Sequence, residues 1–299
     1  MTDNDRTAQL ERACSYLRRI PAWYLATTDV ADGHQPRVRP FSFAMVDDGK
    51  LWFCTSRDKD VWAELSANPK FELSGWKPGE CWIVLTGEAA LEDDAVASDK
   101  VRQAGFKHMV GIGEEHESAN DGRLAFFSVR NIAARFCDRR QRGAPGALAR
   151  TNQVPKLTST GGNVDGLNTV LEYLTSVPAW YLATSVDGQP HVRPFSFAQI
   201  QDGKLWFVTA RTKDVWQELL QNQRFEATSW WPGHGWLILR GRAGLDDRAL
   251  DEMREAGWKH LEHLGEHYEG PNDPTLVFFS VEDPEAFICN HDEWVPVEL

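Results

Sequence analysis

A mainly β protein of the α+β kind is predicted, with two tandem six-stranded antiparallel barrels and flanking helices in one chain. Three observations predict it. The chain repeats itself, its apolar β-type runs are punctuated by Asp-Gly and Pro-Gly turns, and each copy is about the length of a self-sufficient domain.

The repeat is direct. Pro21-Ala-Trp-Tyr-Leu-Ala-Thr27 recurs as Pro178-Ala-Trp-Tyr-Leu-Ala-Thr184, and Val38-Arg-Pro-Phe-Ser-Phe-Ala44 as Val192-Arg-Pro-Phe-Ser-Phe-Ala198. Asp48-Gly-Lys-Leu-Trp-Phe53 returns as Asp202-Gly-Lys-Leu-Trp-Phe207, Lys59-Asp-Val-Trp62 as Lys213-Asp-Val-Trp216, and Phe126-Phe-Ser-Val129 as Phe278-Phe-Ser-Val281. The offset between copies shortens in a turn after Asp29 and again in an acidic stretch after Leu91, where surface loops absorb length changes. The expected domains are residues 8–138 and 166–299. Between them, 139–165 holds Gly143-Ala-Pro-Gly146 and Ser159-Thr-Gly-Gly162 and reads as a linker.

Within each copy the elements follow in order. A short amphipathic helix (residues 11–20 and 167–176) stops before a proline. Residues 23–28 are an aromatic strand, 37–46 alternate as a second, and 51–55 form a third after the hairpin signal Asp48-Gly49. Residues 58–67 are helical, with Val61, Trp62 and Leu65 on one face. Strands at 71–76 and 81–90 flank Lys77-Pro-Gly79, a helix is expected over 93–107, and 124–129 is the closing strand. Six short strands with few helices suit a small antiparallel barrel.

Composition narrows the class. The 299 residues are 42% hydrophobic and 25% charged, as in a soluble globular protein. No apolar run approaches the roughly 20 residues that span a bilayer, and the mixed-charge start reads as neither signal nor transit peptide. Five scattered cysteines without a CxxC pair suit reduced thiols in a cytoplasm. A net charge of −12 opposes nucleic-acid binding. The one basic cluster, Arg135-Phe-Cys-Asp-Arg-Arg-Gln-Arg142, runs into the linker. Thirteen tryptophans fit either aromatic walls around a flat ligand or core packing.

Two segments carry candidate chemistry. In Leu51-Trp-Phe-Cys-Thr-Ser-Arg-Asp-Lys-Asp-Val-Trp62 a strand ends in Thr55 and Ser56, followed by Arg57 and Lys59 at a helix start. Unpaired N–H groups and the helix dipole favour an anion there, so hydroxyls and cations converging on it suit phosphate. A plain Ser56 cap with solvated cations fits equally. In Arg37-Val-Arg-Pro-Phe-Ser-Phe43, Arg39 and Phe41 share a strand face. They suit a flat heterocycle, or Arg39 a structural ion pair.

These runs, from Tyr24-Leu-Ala-Thr27 through Arg39-Pro-Phe41, Thr55-Ser56, Lys59 and Asn68-Pro69, and again from Tyr181, resemble the pyridoxamine 5'-phosphate oxidase-like FMN-binding split β-barrels. The resemblance spans most of each copy. It implies two interface flavin sites in a dimer, here an internal pseudo-dimer with the fused copies at high effective concentration, either monomeric as a chain or associating further. Carried over, the phosphate ligands are Thr55, Ser56, Arg57 and Lys59, with Thr209, Arg211 and Lys213. The ring contacts are Arg39, Pro40 and Phe41, with Arg193, Pro194 and Phe195, and the walls are Trp76, Trp82, Trp230 and Trp236. Ser56 becomes Ala210 and Arg37 becomes His191, so the second site is expected either to bind more weakly or to hold a different ligand.

The expected function is an FMN-dependent oxidoreductase, taking electrons from a reduced nicotinamide for a small organic acceptor or oxygen. The alternative is a non-catalytic carrier or sensor of flavin, deazaflavin or haem. His260, His263 and His267 have helical spacing for a metal, but copy one does not repeat them, so no metal is assigned. The acidic runs Glu92-Asp-Asp94 and Asp246-Asp247 read as solvated turns or helix starts. Cys54 is replaced by Val208, which argues against thiol chemistry, and the end from Cys289 to Trp294 reads as a tail.

Overall fold

The computed structural model describes residues 3–137, 164–290 and 293–299. The expected linker lies outside the described residues, except Val164 and Asp165, which open a helix. The basic cluster is likewise outside them beyond Cys137. Two units divide the chain, Met1–Cys137 with Asp187–Val192, and Asp138–Val186 with Arg193–Leu299.

The first repeat runs α1 (Asp3–Leu17), β1 (Trp23–Asp29), β2 (Gln35–Phe41), β3 (Met45–Asp47), β4 (Lys50–Ser56), α2 (Asp60–Ala67), β5 (Lys70–Trp76) and β6 (Trp82–Ala90). A 3-10 turn (Leu91–Val96), α3 (Asp99–Gly111) and β7 (Leu124–Cys137) complete it. The second runs α4 (Val164–Thr175), β8 (Trp180–Val186), β9 (Gln189–Phe195), β10 (Gln199–Gln201), β11 (Lys204–Ala210), α5 (Asp214–Gln221), β12 (Arg224–Trp231), β13 (Gly235–Gly244), α6 (Asp251–His263), β14 (Leu276–Asn290) and β15 (Glu293–Val297).

Strand order in the first sheet is β2-β1-β5-β6-β7-β4-β3, and the second follows the same plan with β9 and β10 at its ends. β2 and β3 lie at opposite ends of that order yet are joined by only Ser42, Phe43 and Ala44. One short run therefore joins the two ends, which a rolled sheet permits and a flat one does not. This corrects the count of six strands. The run expected over 37–46 is two strands, because Phe43 turns away into the cluster against α3 while β2 and β3 pair with different neighbours. The second sheet has eight strands because the expected tail forms β15, antiparallel to β14.

Three further boundaries move, the first being that α1 spans Asp3–Leu17 and not 11–20. Instead of one helix over 93–107, the acidic run makes the 3-10 turn and α3 begins at Asp99, capped by Ser98, whose side chain accepts from Val101 N. The closing strand continues to Cys137 past a bulge opposite β6, with Asn131 at φ 48°. A bulge bends a strand without ending it, and the exposed half beyond lacked the apolar signal.

Alternation along the strands builds two cores in each repeat. Leu51 and Phe53 of β4, with Phe127 and Val129 of β7, point inward to Trp23, Leu25, Phe71 and Leu85, under α1 and α2. Trp52 and Cys54, with Leu124 and Phe126, point outward against Val101 and Met109 of α3. The second repeat does the same with Trp180, Phe207 and Phe279 inside, and Trp206, Phe278 and Met253 outside. No helix among the described residues is long and apolar enough to cross a membrane.

Candidate functional site

The β4–α2 turn gathers the predicted phosphate ligands. β4 ends in Thr55 and Ser56, both buried, and Lys59 occupies the N-cap of α2 in extended backbone with no side-chain cap hydrogen bond. Serine, threonine or aspartate would normally satisfy the first-turn N–H groups there, so the helix start is open to an external acceptor. α5 begins identically at Lys213, below Thr209 and Ala210. That repeated uncapped start, with a cation on it, fits a phosphate group.

The cations nevertheless have partners. Lys59 pairs with Glu114 and Arg57 with Asp94. Arg57 also donates from Nε to the Gly122 carbonyl at 3.1 Å and lies 4.6 Å over the Trp62 ring. Ser56 Oγ donates to the Arg123 carbonyl at 3.3 Å. In the second repeat Lys213 pairs with Glu266 at 3.3 Å, and Arg211 lies 5.4 Å over Trp216.

Arg39 is held as firmly. Its Nη2 pairs with Glu64 of α2 at 2.8 Å, its Nη1 donates to Thr27 Oγ1 at 2.8 Å, and Thr27 in turn donates to Glu64. Arg193 repeats the arrangement with Glu218 at 2.5 Å and Thr184 at 2.6 Å. The structural ion pair is thus present, and it ties the Arg-Pro-Phe strand to the helix that begins at Lys59. Each guanidinium side chain keeps 21% of its surface exposed, so one edge can still face a ligand.

The aromatic candidates divide. Phe41 is committed to the core, stacked 5.2 Å from Trp23, while Phe195 is half-buried, 5.1 Å from Trp180. Pro40 and Pro194 are half-buried strand residues beside them. Trp76 faces Trp82 across β5 and β6, and Trp230 faces Trp236 across β12 and β13, all partly exposed. Trp294 of β15 packs 6.1 Å from Trp236, a contact that reading the end as a tail missed. Trp23, Trp52, Trp180, Trp206 and Trp216 are core, which accounts for much of the tryptophan content.

The polar network also gives the two equivalent histidines, His108 and His260, hydroxyl partners that motif reading passed over. Ser42 Oγ and His108 Nε2 are hydrogen-bonded at 2.7 Å, and Ser196 and His260 repeat the pair at 2.8 Å. Burial pushes both histidines down, His260 to about 4 with help from nearby His263. His263 and His267 are exposed, and among the described residues no three metal-binding side chains converge. The first acidic run does start a short helix, the 3-10 turn, but Asp93 and Asp94 are buried there and not solvated. Asp93 accepts from Ser128 and, at 2.9 Å, from Lys50. Burial alone would raise the Asp93 carboxyl, but those bonds hold it below the usual range. Asp94 accepts from Phe126 N at 2.8 Å. Burial drives the Cys54 thiol well above its ordinary range, so it stays protonated. The signal that could have found Thr27, Glu64, Ser42 and Glu114 is the repeat, because each polar residue recurs at the equivalent position.

Each unit is therefore a helix-flanked antiparallel split barrel with an anion-suited strand–turn–helix. A family model described as pyridoxamine 5'-phosphate oxidase matches residues 10–137 and again 168–285, and the chain belongs to that family. No curated protein matches it. Among solved structures it is similar to a NimC/NimA family protein from Clostridium acetobutylicum, at 29% identity over 45% of this chain and 93% of that one, TM-score 0.41. It is also similar to a pyridoxamine 5'-phosphate oxidase-related, FMN-binding protein from Nostoc punctiforme PCC 73102, at 14% identity over 48% and 99%, TM-score 0.32. An F420 reductase matches at 18% identity over 40% and 94%, TM-score 0.31.

Proposed function

We propose that the protein is a flavin-dependent oxidoreductase that binds FMN by its phosphate at the β4–α2 and β11–α5 turns, with the ring beside the Arg-Pro-Phe strands. One observation carries the reading: in a chain of this family, both α2 and α5 start without a side-chain cap and place a lysine there. Thr55, Lys59 and the first-turn N–H groups would hold the phosphate, and Thr209 and Lys213 the second. Arg39 and Arg193, fixed by Glu64 and Glu218, would present a guanidinium edge to a ring carbonyl without having to be ordered on binding. Bound FMN would supply hydride or electron transfer, which is cofactor chemistry that the protein orients and tunes.

A small organic substrate, a nicotinamide electron donor and a cytoplasmic setting belong to the same proposal. Haem is disfavoured by one contact, since the Nε2 atoms of His108 and His260 already face Ser42 and Ser196. The test is an absorption spectrum of freshly purified protein, then mass spectrometry of the released cofactor. Flavin bands and an FMN mass are expected. Protein that stays colourless after incubation with FMN would overturn the reading, and a deazaflavin mass would redirect it.

A further inference from the structure

α3 and α6 end in the same way. Gly113 adopts φ +93° and Gly265 φ +78°, a left-handed conformation that glycine takes without steric cost. The next residue folds back in each case, Glu114 N donating to the Met109 carbonyl at 2.9 Å and Glu266 N to the Leu261 carbonyl at 3.0 Å. This helix-ending geometry sets the backbone position of each glutamate, and each carboxylate lands on the lysine at the start of the preceding helix of its own repeat, Lys59 of α2 or Lys213 of α5. The loop beyond is anchored to the same turn. Arg57 N donates to the Arg123 carbonyl at 2.8 Å, and Arg211 N to the Thr275 carbonyl at 2.8 Å.

Resting on the phosphate reading above, we infer that Glu114 and Glu266 are built-in competitors for the phosphate subsite. A phosphate reaching Lys59 must displace a carboxylate already hydrogen-bonded to it. The pair thus lowers affinity for a phosphorylated ligand while leaving a phosphate-free ring unaffected. The two glutamates set how strongly the protein prefers FMN over riboflavin. Lys59 and Lys213 are 45% and 35% exposed, so each internal pair is solvent-screened and its effect modest.

The test uses the full chain stripped of cofactor and titrated with FMN and with riboflavin by fluorescence quenching. Glu114→Gln with Glu266→Gln should tighten FMN binding by roughly three- to fivefold, the range of one screened ion pair, and leave riboflavin unchanged. Adding Lys59→Met and Lys213→Met should abolish that gain. Equal tightening for both ligands, or none for FMN, would overturn the inference while the flavin reading stands. Failure of both ligands to bind wild type and variants would instead remove the flavin reading itself, and the competitors with it.

Discussion

Arg39 and Glu64 pair at 2.8 Å where β2 meets α2, and Arg193 and Glu218 do so at the equivalent position of the second repeat. The partners are unequally placed. The Glu64 side chain is 6% exposed and that of Arg39 21%. Removing the arginine strands a buried carboxylate with Thr27 as its remaining donor here, whereas removing the carboxylate leaves a cation that reaches water. Arg39→Met should therefore cost about 3 kcal/mol, and Glu64→Gln clearly less. Urea midpoints of the two variants decide it, and equal losses would contradict the asymmetry.

The helices that carry His108 and His260 approach the sheet through glycine. A Cβ built on Gly105 would come within 2.4 Å of the Phe126 ring, and one on Gly257 within 2.6 Å of Phe278. Both rings are fully buried and have little room to move. Gly105→Ala should destabilise by about 1–3 kcal/mol through overpacking. Gly111→Ala on the same helix meets nothing within 4 Å and should be neutral or slightly stabilising. Thermal melts of the pair check it, and a Gly105→Ala melting point at or above wild type would refute the close fit.

Acid should act through His260. Its folded pKa of about 4 lies below the unfolded value of 6.5, first because it is buried and second because His263 is near. The unfolded chain thus binds the proton more readily between those values, so stability falls as pH drops from about 6.5 towards 4 and is unaffected by this group above that window. The loss is on the order of 2 kcal/mol. His260→Gln, which retains a partner for Ser196, should shrink the difference between denaturation midpoints at pH 7 and pH 4.5. An unchanged difference would place the titration elsewhere.

Ser56 tests how literally a hydroxyl beside a phosphate turn can be read. Its Oγ already donates to the Arg123 carbonyl, and the second repeat does without it at Ala210. Ser56→Ala should leave FMN affinity within about twofold, because the one weak hydrogen bond it removes is internal to the protein and not to the ligand. A tenfold loss in an equilibrium titration would return Ser56 to the ligand set.

Much of the fold was legible because its signals are local. Alternating β runs, Asp-Gly turns and the repeated Lys-Asp-Val-Trp helix start locate β1, β4, β5, β6 and α2 to within a residue or two. Asp48 and Asp202 show why, since both adopt the positive φ that a two-residue hairpin demands. The break at Ser42–Ala44, the bulge at Asn131 and the pairing of β15 were not legible, because each depends on a distant strand or helix that the local pattern does not name.

The residues alone determined the duplication, which needs only the comparison of one stretch of chain with another. They also determined the antiparallel strand–helix plan and the placement of hydroxyls and cations at two helix starts, which are properties of neighbours along the chain. Tertiary structure decided which charges those cations meet. Glu64, Asp94 and Glu114 reach Arg39, Arg57 and Lys59 across 25 to 55 positions of sequence, and Coulomb attraction depends on distance in space, which only the folded chain sets.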